Sequence, residues 1–378
     1  MAEIHFITEE VTPHLILTEK FLRSLQHQVT FWTQHLPSSA DSHLSSSPSE
    51  ACSISVFTPF AEWSLSEILA FSSKWVNAEA TTFHFIVCSK WRASQFILLA
   101  LMKALPQHRI YVSVTDEALA HNRLAVEVLL RTNQTLFFES SSSKKRAHEI
   151  SPKKKWQNWQ IINPLIDVYS LNSLKTDFMH EESKIESPEA GRKERLSQKT
   201  RKLEMTLILP CEGDGYFLFI NKKYFDFLKQ FQVCFHFYSA SNLSDFDYFS
   251  WNSYLSQNGF RNYELRSGTE LGPDTYSADR SFRLFTAASS LNSQTLARWM
   301  TWAVSKEIPL ILSFEQGTLF SRLWQNELNC FFMDESLASY RASWARDRLE
   351  ALPSKAFFSK SSVESMTNEM VNVMNRIY

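Results

Sequence analysis

Glycine is scarce in this chain. Of 378 residues only seven are glycine, and the first of them is Gly191. The amino-terminal half therefore holds no GxGxxG and no GxxxxGK[ST]. A dinucleotide or P-loop phosphate cradle, which needs glycine to bring backbone N–H groups against the anion, is excluded there. The five cysteines, Cys52, Cys88, Cys211, Cys234 and Cys330, form no CxxC pair. They read as buried thiols of a reducing compartment. HExxH and GxSxG are missing too, so neither a zinc protease helix nor a hydrolase nucleophile elbow is encoded, and no metal site is expected. No segment reaches the ~18 apolar residues of a membrane span. Charge of one sign is also lacking: 39 Lys and Arg stand against 40 Asp and Glu. No global field then favours nucleic acid or acidic lipid. The opening MAEIHFITEE is acidic and strand-like rather than a signal peptide, so a cytoplasmic protein is expected.

Apolar and aromatic residues are plentiful. Hydrophobic residues make up 44% of the chain, with thirty Phe and eleven Trp. That is enough for two domains, each with its own core. Short apolar runs recur at Ile4–Thr8, Val29–Thr33, Ser53–Thr58, Phe83–Cys88, Ile110–Val114, Leu136–Glu139 and Gln160–Ile162. Helical periodicity lies between them, as at Leu15–Leu25 and Ser94–Leu105. The pattern restarts with strands at Glu204–Leu209, Val233–Tyr238, Asn262–Leu265, Phe282–Thr286, Pro309–Leu312 and Cys330–Met333. Helices are predicted at Lys222–Phe231, Trp251–Gln257, Gln294–Val304, Leu319–Glu327, Ala342–Leu352 and Val363–Ile377. Alternation of this kind specifies an α/β fold: two Rossmann-like open parallel-sheet domains, facing across a cleft.

Between the two series the composition changes. Residues 141–202 carry fourteen Lys and Arg against eight Asp and Glu, a net of +6. Serine, proline and dense mixed charge bury too little surface to order themselves. We therefore expect an amino-terminal domain over 1–171 with a mobile loop at 140–155, a charged linker at 172–202, and a second domain over 203–378. The lysines of KKRAHEISPKKK alternate with no stacking aromatics, so a solvated loop is favoured over a nucleic-acid patch.

Three stretches give the chain a resemblance to glycosyltransferases of the GT-B fold (group 1-like). WQIINPLID resembles the last strand of that family's first domain. LEMTLILPCEGDG is similar to the strand and loop that open its second. Phe282–Met333 resembles its donor-binding segment, and the final helix at 363–377 matches one that crosses back to the first domain. The resemblance implies transfer of a sugar from a nucleotide-sugar donor, as co-substrate, to an acceptor the sequence does not specify. A pseudoenzyme of the same fold, with a protein partner, is the alternative.

The resemblance also implies sites. Glu9, Glu10 and His14 follow the first strand, where the family places its acceptor base, and Glu10 and His14 are the catalytic candidates. The donor candidates are Ser290, Asn292 and Thr295 in one loop and Glu315, Gln316, Gly317 and Thr318 in the next. Each loop is expected to open a helix whose N-terminus can hold an anion. The chain departs from the family in three places. The two glutamates that hold the donor correspond to Gln294 or Thr295 and to Trp302. The glycine before the penultimate strand is replaced by Lys306 or Glu307. The loop that should neutralise the diphosphate is acidic at Glu212 and Asp214, which leaves Lys222 and Lys223 as substitutes.

Overall fold

A computed structural model describes residues 2–9, 11–33, 53–56, 64–89, 91–132, 135–152, 159–162, 205–212, 221–238, 245–267, 281–289 and 291–378. The chain divides into two compact units. The first is Met1–Leu165 with Asn292–Gln294 and Asn368–Tyr378. The second is Ile166–Leu291 with Thr295–Thr367.

In the first unit seven strands form one sheet: β1 (Glu3–Ile7), β2 (Gln28–Thr33), β3 (Ser53–Val56), β4 (Thr82–Val87), β5 (Arg109–Val114), β6 (Leu136–Phe138) and β7 (Trp159–Ile161). Their order is β3-β2-β1-β4-β5-β6-β7, and every pairing is parallel. Parallel strands carry cover on both faces and so read as continuous apolar runs. β4 is the clearest case, with TFHFIV buried at all six positions. Alternate residues of β1 and β4 feed two cores. Ile7, Phe83, Phe85 and Val87 join one. Ile4, Phe6 and Ile86 join the other, together with Met374. The order reverses between β1 and β4, which makes the carboxyl ends of these strands the topological switch point.

The second unit repeats the plan with six parallel strands: β8 (Met205–Glu212), β9 (Gln232–Tyr238), β10 (Tyr263–Ser267), β11 (Ser281–Phe285), β12 (Leu310–Leu312) and β13 (Cys330–Phe332). The order β10-β9-β8-β11-β12-β13 places the switch between β8 and β11. Leu207, Leu209, Phe235, Phe237 and Trp251 fill its core.

The helices are α1 (Pro13–Ser24), α2 (Leu65–Ser73), α3 (Ala93–Lys103), α4 (Asp116–His121), α5 (Arg123–Leu130), α6 (Ser141–Ile150), α7 (Phe225–Leu228), α8 (Asp245–Gln257), α9 (Ser293–Ser305), α10 (Glu335–Tyr340), α11 (Ala342–Ala351) and α12 (Lys360–Ile377). Local chemistry sets several starts. Thr12 caps α1 by accepting from the Leu15 N–H, with Pro13 in its first turn. Ser64 and Glu67 form a reciprocal capping box on α2.

Two local expectations change. The loop expected over 140–155 is helical across Ser141–Ile150. Ser140 caps it through the Ser143 N–H at 3.1 Å, Ala147 is buried beneath it, and the Lys144 ammonium donates to the Trp159 carbonyl at 2.7 Å. Composition alone hides such a helix, because a cap and one buried face suffice to hold it. The helix expected over Leu319–Glu327 does not form. Phe320 and Glu327 take left-handed backbones, φ 56° and 68°, which no right-handed helix accommodates. The Asn329 side chain replaces the helical ladder: it accepts from the Gln325 N–H and donates to the carbonyls of Leu323 and Phe357. The linker expected at 172–202 lies outside the described residues.

Glu307, at one of the positions where the resemblance expects glycine, has φ 55°. A non-glycine residue there carries a Cβ clash of roughly 1–2 kcal/mol. Its ion pair with Lys355 spans 3.2 Å, but Lys355 is largely exposed, so the pair adds little. Glu307→Gly should raise unfolding stability by up to about 1 kcal/mol, since the flexible unfolded chain takes back part of the gain. Urea denaturation of the two proteins, showing no gain or a loss, would refute the strain assignment.

Candidate functional site

Parallel strands bring all their carboxyl ends to one edge, so the residue just past each strand faces a shared space. In the first unit that edge holds a cavity of about 170 Å³. Glu9 enters it after β1, Cys88 after β4, Asp116 after β5 and Glu139 after β6. His14 comes from α1, and Tyr378 follows α12. It lies at the switch point between β1 and β4, where ligands of open α/β sheets bind.

Four carboxylates line this cavity: Glu9, Asp116, Glu117 and Glu139. Glu9 accepts from the Cys88 thiol at 2.7 Å, and Glu117 accepts from the Ser89 hydroxyl at 2.5 Å. Asp116 is the most heavily engaged. One oxygen accepts from both the N–H and the hydroxyl of Ser293, at 2.8 and 2.7 Å; the other accepts from the Ser143 hydroxyl. Glu139 accepts from the Asp116 N–H at 2.9 Å and from the Gln294 amide at 2.5 Å. Loss of hydration, reinforced by the nearby Asp116 charge, pushes Glu139 up to about 7. It is thus a carboxyl group that exchanges its proton near neutral pH, a property characteristic of functional sites.

Histidines complete the cavity. Burial lowers His14 to about 4, leaving a neutral imidazole at pH 7. His84, inside β4, is lowered to about 3 by burial and sits in a polar chain. Its Nδ1 meets the Tyr378 hydroxyl at 2.5 Å and its Nε2 the Ser113 hydroxyl at 2.7 Å. Burial raises the Tyr378 phenol, so it remains protonated.

Of the two catalytic candidates, His14 lines the cavity, while Glu10 lies outside the described residues; its neighbour Glu9 is the carboxylate seen there. Of the donor candidates, Asn292 lines the same cavity, together with Gln294. Ser290 lies outside the described residues. Thr295 is half-buried in α9. Sequence reasoning missed Asp116, Glu117, Glu139, Cys88, His84 and Tyr378. A usable signal existed for Cys88, Asp116 and Glu139: Cys88 and Glu139 end predicted strands, and Asp116 stands two residues past one.

The carboxyl edge of the second unit is organised differently. The loop after β12 makes a three-residue 3-10 turn, Gln316–Thr318, and no helix follows at once. The expectation that Glu315–Thr318 opens a helix is therefore corrected, and with it the idea of an anion-binding helix N-terminus there. Gln316 is a brace. Its amide donates to the Thr286 carbonyl at 2.9 Å, and its oxygen accepts from the Thr286 hydroxyl and the Ser313 N–H. Gly317 is buried where a Cβ would run into the Phe332 ring. Glu315 and Thr318 are exposed, and the Thr318 hydroxyl donates to the Glu315 carbonyl at 2.7 Å. Lys223 pairs with Glu335, which also accepts from Asn221 at 2.7 Å. Lys222 lies 5.9 Å from the Tyr254 ring centre. Asp214 lies outside the described residues. Among the described residues no group of three His, Cys, Asp or Glu is placed to hold a metal, and no helix is long and apolar enough to cross a membrane.

The Glu139 environment predicts a pH dependence. A carboxyl group whose folded value lies above its unfolded one adds stability below about pH 4.5 and loses it as pH rises through about 7. Glu139→Gln removes that loss. Its stability relative to the wild type should therefore rise between pH 5 and pH 8, by on the order of 3 kcal/mol. Equal shifts at both pH values in thermal denaturation would exclude the raised value.

No family model matches the chain, and no curated protein matches it in sequence. Solved structures do match. Anabaena HepE in complex with UDP and glucose aligns over 100% of both chains, with a TM-score of 0.58 at 11% identity. A glycosyltransferase from Rickettsia africae aligns over 98% of this chain and 94% of its own, with a TM-score of 0.55 at 10% identity. An alpha-glucosyltransferase in complex with UDP covers 98% and 95%, with a TM-score of 0.51 at 9% identity. The chain thus has a GT-B-like, glycosyltransferase-like fold of two Rossmann-like domains, distant in sequence from those proteins.

Proposed function

We propose that this chain transfers a sugar from a nucleotide-sugar donor to an acceptor held in the first unit's cavity, with Glu139 as the base. The observation that carries the reading is a cluster of carboxylates at a switch-point cavity, in which loss of hydration and the Asp116 charge push Glu139 up to about 7. A base is most effective when its value lies near the working pH. In the step itself, the acceptor hydroxyl gives its proton to Glu139 while its oxygen bonds to the anomeric carbon. The bond from that carbon to the diphosphate breaks, and the nucleoside diphosphate leaves with the electron pair. Neutral His14 and the Asn292 amide would offer hydrogen bonds to a polyol acceptor. UDP is the first nucleotide to test, because it occupies Anabaena HepE and the alpha-glucosyltransferase. Ser290, Thr295, Glu315, Gly317 and Thr318 are the proposed donor contacts, with Gln316 shaping their loop.

A second reading has its own support. The Gln316 amide, Lys223 and the Ser293 N–H, groups that could hold a donor, already have protein partners. A pseudoenzyme that binds a nucleotide or a protein partner without transfer would show this. Thermal denaturation with UDP and UDP-glucose, paired with an assay of UDP release, separates the two. Ligand at 100-fold its Kd should stabilise the fold by about 2.7 kcal/mol. Transfer predicts slow UDP release that drops about 10²- to 10⁴-fold in Glu139→Gln while the UDP-induced shift persists. A shift with no release supports the pseudoenzyme. No shift with either ligand at millimolar concentration ends the nucleotide-sugar reading.

A further inference from the structure

The opposite edge of the second sheet holds a feature that the transfer reading does not use. Met205, Gln232, Tyr263 and Ser281 are the first residues of β8, β9, β10 and β11, and all four line one groove of about 800 Å³. The groove therefore lies at the amino edge of the sheet, away from the loops that follow the strands. Arg261, Arg283 and Arg346 also line it, against one carboxylate, Glu350.

Arg283 is the unusual member. It is only 3% exposed, on β11. Its guanidinium donates to the Ser281 hydroxyl at 2.7 Å, the Phe282 carbonyl at 2.8 Å and the Leu352 carbonyl at 2.9 Å. All three acceptors are neutral, and among the described residues its Nε–H has no partner. Among the described residues no carboxylate lies within ion-pair distance of it. Leu352 is the C-cap of α11, so the helix end supplies part of a negative charge, about half a unit at most. Burial lowers Arg283 to about 10, which leaves it fully charged at pH 7. A buried charge without a counter-charge is costly, and such groups are ordinarily paired.

The other two arginines are placed to meet a ligand. Arg261 is exposed at the start of the strand region. Arg346 is held by Glu350 at 2.9 Å and by the Phe231 ring, 5.7 Å from its centre. A guanidinium fixed on a ring keeps its planar fork ready for an anion. Three arginines against one carboxylate leave the lining with a net charge of +2 among the described residues.

We infer that this amino-edge groove of the second unit binds a phosphate-bearing ligand, with Arg261 and Arg346 contacting the phosphate and buried Arg283 supplying fixed positive charge behind them. Guanidinium–phosphate bonds are charge-assisted and bidentate, which suits a phosphomonoester better than a neutral sugar. The phosphate could belong to a soluble ester or to a lipid headgroup; the chemistry at the arginines is the same.

The test uses the full chain and the double variant Arg261→Ala/Arg346→Ala, whose changes are on exposed side chains. Thermal denaturation is followed with sodium phosphate against sodium chloride of equal ionic strength, and co-sedimentation with phosphatidate vesicles against phosphatidylcholine vesicles. A phosphate-specific shift, weakened tenfold or more in the double variant, supports a soluble ester. Phosphatidate-specific sedimentation lost in the double variant supports a headgroup. The variant's response to UDP-glucose should equal that of the wild type, which separates this groove from the transfer site. No phosphate-specific response in either arm, or one the double variant retains, overturns the inference.

Discussion

The carboxylate of Asp116 organises the first unit's site. It stands at the first position of α4, just past β5. It draws in Ser293 through two donors and Ser143 through a third, while its own N–H goes to Glu139. Its negative charge also keeps Glu139 from ionising early. The backbone N–H of this residue thus fixes the position of a neighbouring acid, while its carboxylate joins three separate chain segments and shifts that acid toward neutrality. The hydrogen bonds and the charge effect oppose each other at Glu139. Desolvation decides the outcome, because the cavity offers the ionised form little water.

Scarcity of glycine has visible consequences in the second unit. A phosphate cradle made of backbone N–H groups needs close approach, and the described loops at that edge provide little of it. The Gln316 side chain closes its loop onto Thr286 and Ser313, and Gly317 is used to let the Phe332 ring lie against the turn. Glu307 takes up a left-handed turn where glycine would fit without strain. These are marks of a loop set shaped by packing.

Polar groups placed inside strands need partners that sequence alone does not announce. His84 lies in the middle of β4, where a lone imidazole would cost a few kcal/mol if unpaired. Ser113 on the adjacent β5 and Tyr378 after α12 satisfy its two nitrogens. Arg283 on β11 has carbonyl and hydroxyl partners but, among the described residues, no opposite charge. The two residues look alike in sequence, single polar positions in apolar runs. They differ in what the neighbouring elements bring to them.

The strands were legible because burial on two faces leaves an unmistakable mark: TFHFIV in β4 or LIL in β12 can hardly be exposed. From alternation of such runs with helical periodicity, parallel sheets and their carboxyl edges followed. Capping and turn chemistry were less legible. The serines of α6 looked like a solvated loop because the burial of Ala147 and the Lys144–Trp159 contact are set by position in space. Leu319–Glu327 had helical spacing, yet Asn329 and two left-handed residues drew it into turns. The site was least legible of all. Cys88, Asp116 and Glu139 stand far apart in the chain, and a place at the end of a strand does not say which such residues meet. Sequence alone determined the periodic burial that makes two parallel sheets. Only the tertiary structure decided which carboxylates share one cavity, because pKa and hydrogen bonding depend on distances between segments that local pattern does not encode.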